Sequence, residues 1–308
     1  GYSIQPYSPA AGTGLSSHAL NQPGCYRDVK DTTAVVQFTG VKNEASAKLF
    51  EMAGGDPVYF LAWTTTPWTL PSNTALCVGP KFDYVMVRSV NPYTEQPGVY
   101  VAKELVNAHF GSKNPFEVLE GSFKGTELAG ISYEQLIPWI NPGEGAFRVI
   151  LGDYVTIEDG TGIVHIAPTF GADDDKVAKA AGVPPLRVED AAGVMQAQVD
   201  RTGRMYRIED LSEDFVAKNV NVELYKEFAG RYVKNAYDPE ATADTTTLDV
   251  DLCVMLKKEN KAFKIEKHTH NYPHCWRTDK PVLYYPLNSW FIRSTAVQQR
   301  MIELNKTI

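Results

Sequence analysis

A short apolar run, Val58-Tyr59-Phe60-Leu61-Ala62, leads straight into Trp63-Thr64-Thr65-Thr66-Pro67-Trp68-Thr69-Leu70-Pro71-Ser72-Asn73. The run is short, aromatic and bounded by Pro57, so it reads as a buried strand. Threonines 64, 65 and 66 then present their hydroxyls side by side. Pro67 and Pro71 stop the hydrogen-bond ladder, because proline has no backbone N–H to give it. A stiff strand therefore delivers small donors and acceptors into a rigid, irregular turn. A polar pocket on a sheet edge is made this way. Threonine also favours strands, and taken alone the three side chains fit an ordinary strand end.

The rest of the chain reads as many short strands with few helices. Strands are expected at 34–38, 74–78, 83–88, 99–102, 116–123 and 147–151. Helices are expected at 44–53, with Asn43 as N-cap and Gly54-Gly55 as the stop, at 103–110, and over 215–228. This pattern predicts an α+β chain, mostly β with peripheral helices, around a barrel or sandwich core. The segment 1–33 is rich in turn formers and reads as a connector.

Composition narrows the function classes. Of the 308 residues, 44% are hydrophobic and 22% charged, enough apolar mass for a real core and a prior of about two domains. No apolar run approaches the ~18 residues of a membrane span. The start, Gly1-Tyr2-Ser3-Ile4-Gln5-Pro6, has no basic region followed by an apolar one, so no secretory signal is read; it also lacks Met, as a piece of a longer chain would. Cys25, Cys77, Cys253 and Cys275 form no Cys-x-x-Cys pair, and a reduced, cytoplasmic set of thiols is the simplest expectation. The net charge is −7, so any RNA contact should be local, at a strand end.

A second stretch carries chemistry. Gly160-Thr161-Gly162-Ile163-Val164-His165-Ile166-Ala167-Pro168 is a glycine turn feeding a buried strand with one histidine. Thr169-Phe170-Gly171-Ala172-Asp173-Asp174-Asp175 then enters a helix that runs to about Ala181 and stops at Gly182. A lone histidine is more often a satisfied core residue than a ligand, and acids at a helix start complement its dipole. The combination is more specific: it places an imidazole and a carboxylate nine positions apart (174 − 165) at one pocket mouth.

The two stretches together resemble the editing domain of isoleucyl-tRNA synthetases, the domain inserted in the aminoacylation domain as connective peptide 1. Valyl and leucyl sister enzymes continue after two threonines with Arg-Pro-Glu or Arg-Pro-Asp, where Thr66-Pro67-Trp68 stands here. Tyr7-Ser8-Pro9 and Tyr26-Arg27-Asp28-Val29-Lys30-Asp31 resemble the family's inbound linker, and Tyr272-Pro273-His274-Cys275-Trp276-Arg277 its return linker. The resemblance implies an inbound linker at 1–33, an editing domain with a β-barrel core at 34–250, and a return linker with the start of the aminoacylation domain at 251–308. No His-x-Gly-His and no Lys-Met-Ser-Lys-Ser occurs, so ATP and Mg are expected to belong to an aminoacylation site outside this chain, with no cofactor in it.

The implied function is hydrolysis of valyl-tRNA for isoleucine and of valyl-adenylate. The implied partners are the aminoacylated 3′ end of that tRNA and the rest of the parent synthetase, with the chain a monomer. Thr65, Thr66 and Asp174 are the implied catalytic residues; Thr64, Trp68, Thr69, His165 and Asp173 are the implied substrate-binding residues. In those roles Asp174 holds the α-ammonium, His165 is part of a wall that limits side-chain size, the threonines bind the ester or the attacking water, and Trp68 lines the pocket. An editing domain of valyl or leucyl type, or a module that binds the aminoacyl end without hydrolysis, are the rival readings. His268, His270, His274 and Cys275 fall within eight residues, but Pro273 breaks the path between the pairs, and a structural role is expected over a metal site.

Overall fold

The computed structural model describes residues 1–103, 110, 115–156 and 160–307. In chain order, β1 is Tyr2–Ser8 and β2 is Tyr26–Thr39. Helix α1 (Ala47–Ala53) follows, closed by Gly54 in the left-handed region at φ 63°. The apolar run forms β3 (Val58–Thr64), and the two prolines fall in a 3-10 turn, Pro67–Ser72. Next come β4 (Ala75–Val78), β5 (Asp83–Val90) and β6 (Pro97–Lys103). The second half holds β7 (Arg148–Leu151), β8 (Ile163–Ile166) and helix α2 (Ala172–Ala181). Helix α3 (Leu248–Lys258), β9 (Ala262–Pro273) and β10 (Leu283–Asn288) complete the framework.

β3 is the hub of the large sheet. One edge pairs antiparallel with β2 from Tyr59 to Thr64. The other edge is shared: β6 runs parallel to it at Val58–Phe60, and β8 runs parallel to it at Trp63. The sheet therefore forks. One arm continues from β6 to β5, the other from β8 to β4 and β7. The fork is stitched where Lys103 N–H donates to Thr161 O at 2.8 Å. A strand flanked on both edges and covered on both faces has no exposed side, which is why Val58 to Ala62 read as an unbroken apolar run. Phe38, Phe60, Leu76, Met86 and Val101 meet Trp139 and Tyr225 in the main core.

The expectation of a mostly β chain with peripheral helices holds, but the barrel does not: among the described residues the sheet branches and never closes. Closure needs one continuous ring of pairings, and β3 divides its second edge between two diverging arms.

Segment 1–33 is more ordered than its turn-rich composition suggests. β1 pairs antiparallel with β10 from Tyr2↔Asn288 to Tyr7↔Leu283, so the apolar stretch 283–287 packs against it, while Trp290 and Ile292 stay fully exposed. β2 is continuous from Tyr26, and its polar first half pairs with β9. Backbone pairing and polar side-chain bonds build that ribbon, so no apolar signal marked it. Residue 33 thus lies inside β2 and residue 250 inside α3. The helix expected over 215–228 is two short ones, Glu213–Asn219 and Val222–Tyr225, divided where the Asn221 side chain caps the second. Of the helix expected at 103–110, Lys103 ends β6 and residues 104–109 lie outside those described.

Candidate functional site

β3 and β8 are parallel, so their carboxyl ends open on the same side. There Thr64 passes into the 3-10 turn and Ile166 passes into the loop before α2. Between them lies a cavity of about 480 Å³, within the ~300–1,000 Å³ usual for small-molecule sites. Thr64, Thr65, Thr66, Thr69, His165 and Asp174 all line it, together with Trp63 and Phe170.

The two remaining expected residues do not. Trp68 is buried behind the wall, its ring edge-on to Phe170 at a centroid distance of 4.9 Å. A 3-10 turn brings residues three apart onto one face, so Thr66 and Thr69 share the cavity side and Trp68 turns to the core. Asp173 is exposed on the first turn of α2; its charge acts on Asp174 from outside the cavity.

His165 sits in a neutral hydrogen-bond chain. The Tyr133 hydroxyl donates to Asn73 Oδ1 at 2.6 Å. Asn73 Nδ2 donates to Ala75 O at 2.9 Å and to His165 Nδ1 at 3.1 Å. Because Nδ1 accepts, the proton is on Nε2, which donates to Thr69 Oγ1 at 2.9 Å. Thr69 Oγ1 in turn donates to Thr66 O at 2.9 Å. Every polar atom of the ring is used, so His165 has no lone pair left for a water proton. Burial also pushes its pKa down to about 4. It is a rigid, uncharged wall, not a general base.

Asp174 is the opposite kind of group. Its carboxyl folds back over the loop and accepts the Ala167 N–H at 2.8 Å. Gly171 makes room: a Cβ there would stand 2.7 Å from the Asp174 carboxyl carbon. Burial pushes the pKa up to about 6, the Ala167 amide opposes that, and the Asp173 charge adds to it. The result is an enclosed carboxylate, ionised at neutral pH, facing a cavity. Such a group gains most from a cationic ligand. Thr64 Oγ1 accepts the Thr66 N–H at 3.1 Å and so sets the strand-to-turn bend, while Thr65 and Thr66 remain half-buried at the cavity surface.

Asn73 stood in the sequence string without a role, and Tyr133 gave no sequence signal at all. The histidine-rich segment does not gather. His268 lies edge-on to Trp63, His270 Nε2 is 3.0 Å from Asp31, and His274 Nδ1 is 3.0 Å from Tyr272 O. Among the described residues no group of histidine, cysteine and acidic side chains has the arrangement of a metal site.

Searches with the sequence find close relatives across the whole chain. It is 66% identical to the isoleucine–tRNA ligase of Bacteroides fragilis, 59% identical to that of Porphyromonas gingivalis and 37% identical to that of Clostridium tetani. This chain belongs to the isoleucine–tRNA ligase family. It spans 28% of the first two of those ligases and 24% of the third. No protein-family model matches it. Among solved structures, GlLeuRS-CP1 (TM-score 0.49, 15% identity, covering 77% of this chain and 99% of that one) and the P. knowlesi cytosolic leucyl-tRNA synthetase editing domain (0.44, 14%, 76% and 96%) are similar, too distantly to carry an argument. For an isoleucine–tRNA ligase segment, the question is what a cavity that sets the Asp174 carboxylate beside a neutral wall does.

Proposed function

We propose that the cavity hydrolyses activated aminoacyl groups that the parent ligase makes in error: the ester valyl-tRNA for isoleucine, and the mixed anhydride valyl-adenylate. Isoleucyl-tRNA synthetase is itself the general example of the underlying limit, a discrimination of about 150-fold for isoleucine over valine in one binding step. A second, smaller site must remove what passes. The observation that carries the reading is that Asp174, His165 and the threonine turn surround one hollow.

In this reading the α-ammonium of the valyl group pairs with Asp174, and the side chain points at His165. Thr65 and Thr66 bind the ester or the attacking water. Water adds to the ester carbonyl, the tetrahedral oxyanion collapses, and the C–O bond to the ribose breaks with the ribose oxygen taking a proton. Among the described side chains that line the cavity none is a suitable general base: His165 is saturated, threonine hydroxyls are poor bases, and Asp174 is held by the ammonium. The vicinal ribose hydroxyl supplies the missing assistance. Catalysis by these residues is then orientation and charge stabilisation. Ligation of isoleucine belongs to the remainder of the parent protein.

The test is deacylation of valyl- and isoleucyl-tRNA. Asp174→Ala should abolish valyl-tRNA hydrolysis, and His165→Ala should admit isoleucyl-tRNA. Full turnover in the first variant would remove Asp174 from the site. Binding of valyl-tRNA without hydrolysis by the wild type would make the cavity a binding module.

A further inference from the structure

We infer that Asp249, outside the cavity, is a positioning residue that holds the turn presenting Thr66 and Thr69. The inference rests on the hydrolytic reading and extends it to α3. The 3-10 turn starts at Thr66, whose side chain makes no capping bond. Its first residue is Pro67, which has no N–H, so the first amide the turn must satisfy is that of Trp68. That N–H donates to Asp249 Oδ1 at 2.8 Å, a bond between residues 181 positions apart.

The next bonds belong to the site. Thr69 N–H donates to Thr66 O at 3.0 Å, and Thr69 Oγ1 connects Thr66 O to His165 Nε2. Moving the Trp68 amide therefore moves both threonines and loosens the imidazole. Asp249 lies in the first turn of α3, where an acid needs no further reason than the helix dipole. Its placement says more. The residue is 4% exposed and its side-chain oxygen reaches across to another element. Burial pushes its pKa up to about 6, against the pull of Lys234 and the Trp68 amide. A dipole-complementing acid belongs in solvent, where it avoids that desolvation.

Two substitutions separate geometry from charge. Asp249→Asn keeps an acceptor oxygen and removes the charge. Asp249→Glu keeps the charge that Lys234 faces and shifts the acceptor by one methylene. In the full-length ligase with valyl-tRNA as substrate, Asp249→Glu should lower kcat about tenfold to hundredfold with KM within about twofold, and Asp249→Asn should stay within about threefold of wild type. The reverse order, or a large kcat loss in folded Asp249→Asn, overturns the proposal in favour of charge balance. Amide hydrogen exchange reads the same bond without catalysis. Trp68 N–H protection should survive in the Asn variant and fall in the Glu variant; unchanged protection in the latter also overturns it. A wild type that does not deacylate, with the exchange pattern as expected, sinks the hydrolytic reading and leaves the hold of Asp249 on the turn intact.

Discussion

Two buried polar regions lie either side of the 3-10 turn, and they are built differently. On the cavity side, Tyr133, Asn73, His165 and Thr69 are joined by neutral hydrogen bonds. Beneath the turn the groups are ionic. Lys234 Nζ lies 3.1 Å from Asp31, His270 lies 3.0 Å from the same carboxylate, and Asp249 faces Lys234. Burial works against the Asp31 carboxylate, yet Lys234 and His270 hold its pKa below the usual range. The contrast is instructive. In the proposed reading the wall selects by shape and carries no charge, and Asp174 is the described charged group that meets the ligand. Charges are used where β2, β9 and α3 must be locked together, out of reach of the ligand.

The sharpest way to break the comparison is to remove the cation. Lys234→Met strands the buried Asp249 and the half-buried Asp31 and should lower unfolding stability by about 3 kcal/mol in urea titration. Asp174→Asn comes next. It keeps an acceptor for the Ala167 amide but loses the charge, and valyl-tRNA deacylation should fall by about 100-fold. The same change should raise stability at pH 7 by about 2 kcal/mol. The sign follows from the raised pKa, about 6 in the fold against about 3.9 unfolded: the ionised carboxyl is unfavourable above pH 6 and relieved as pH falls to 4. The gain should accordingly vanish at pH 4. A variant less stable at pH 7 would contradict the burial of that charge.

Smaller effects probe the neutral side. Tyr133→Phe leaves Asn73 Oδ1 without its donor and should cost about 1–2 kcal/mol, with selectivity against isoleucyl-tRNA reduced as His165 loosens. The mildest test is titration. His165 followed by NMR should show no protonation until about pH 4. Its depressed pKa means the unfolded chain takes the proton first, so its share of stability is lost as pH falls from about 6.5 to 4. A midpoint near 6.5 would show a solvated imidazole and remove the neutral wall.

Much of the site was legible because local chemistry announces it. Threonines before prolines, and a histidine strand running into an acidic helix start, are short-range patterns, and six of the eight expected residues line one cavity. Trp68 was misplaced because which face of a short turn meets the core depends on Phe170 and α3, not on neighbours in sequence. Asp249 was hidden for the same reason. Its partner lies 181 residues away in the sequence. The polar half of β2 was missed because its pairing with β9 is made by backbone groups that any residue carries.

The sequence by itself determined that β3 is buried on both faces, that a proline-locked threonine turn follows it, and that an imidazole and a carboxylate come from a second strand and helix. Each of these follows from periodicity, proline and glycine stereochemistry acting over a few residues. Only the tertiary structure decided that β6 and β8 divide one edge of β3, and that among the described residues the sheet therefore forks instead of closing. It also decided which nitrogen of His165 carries the proton, since that depends on an amide and a tyrosine supplied by other segments. Strand pairing and buried hydrogen bonds are long-range choices, settled by what else fills the interior.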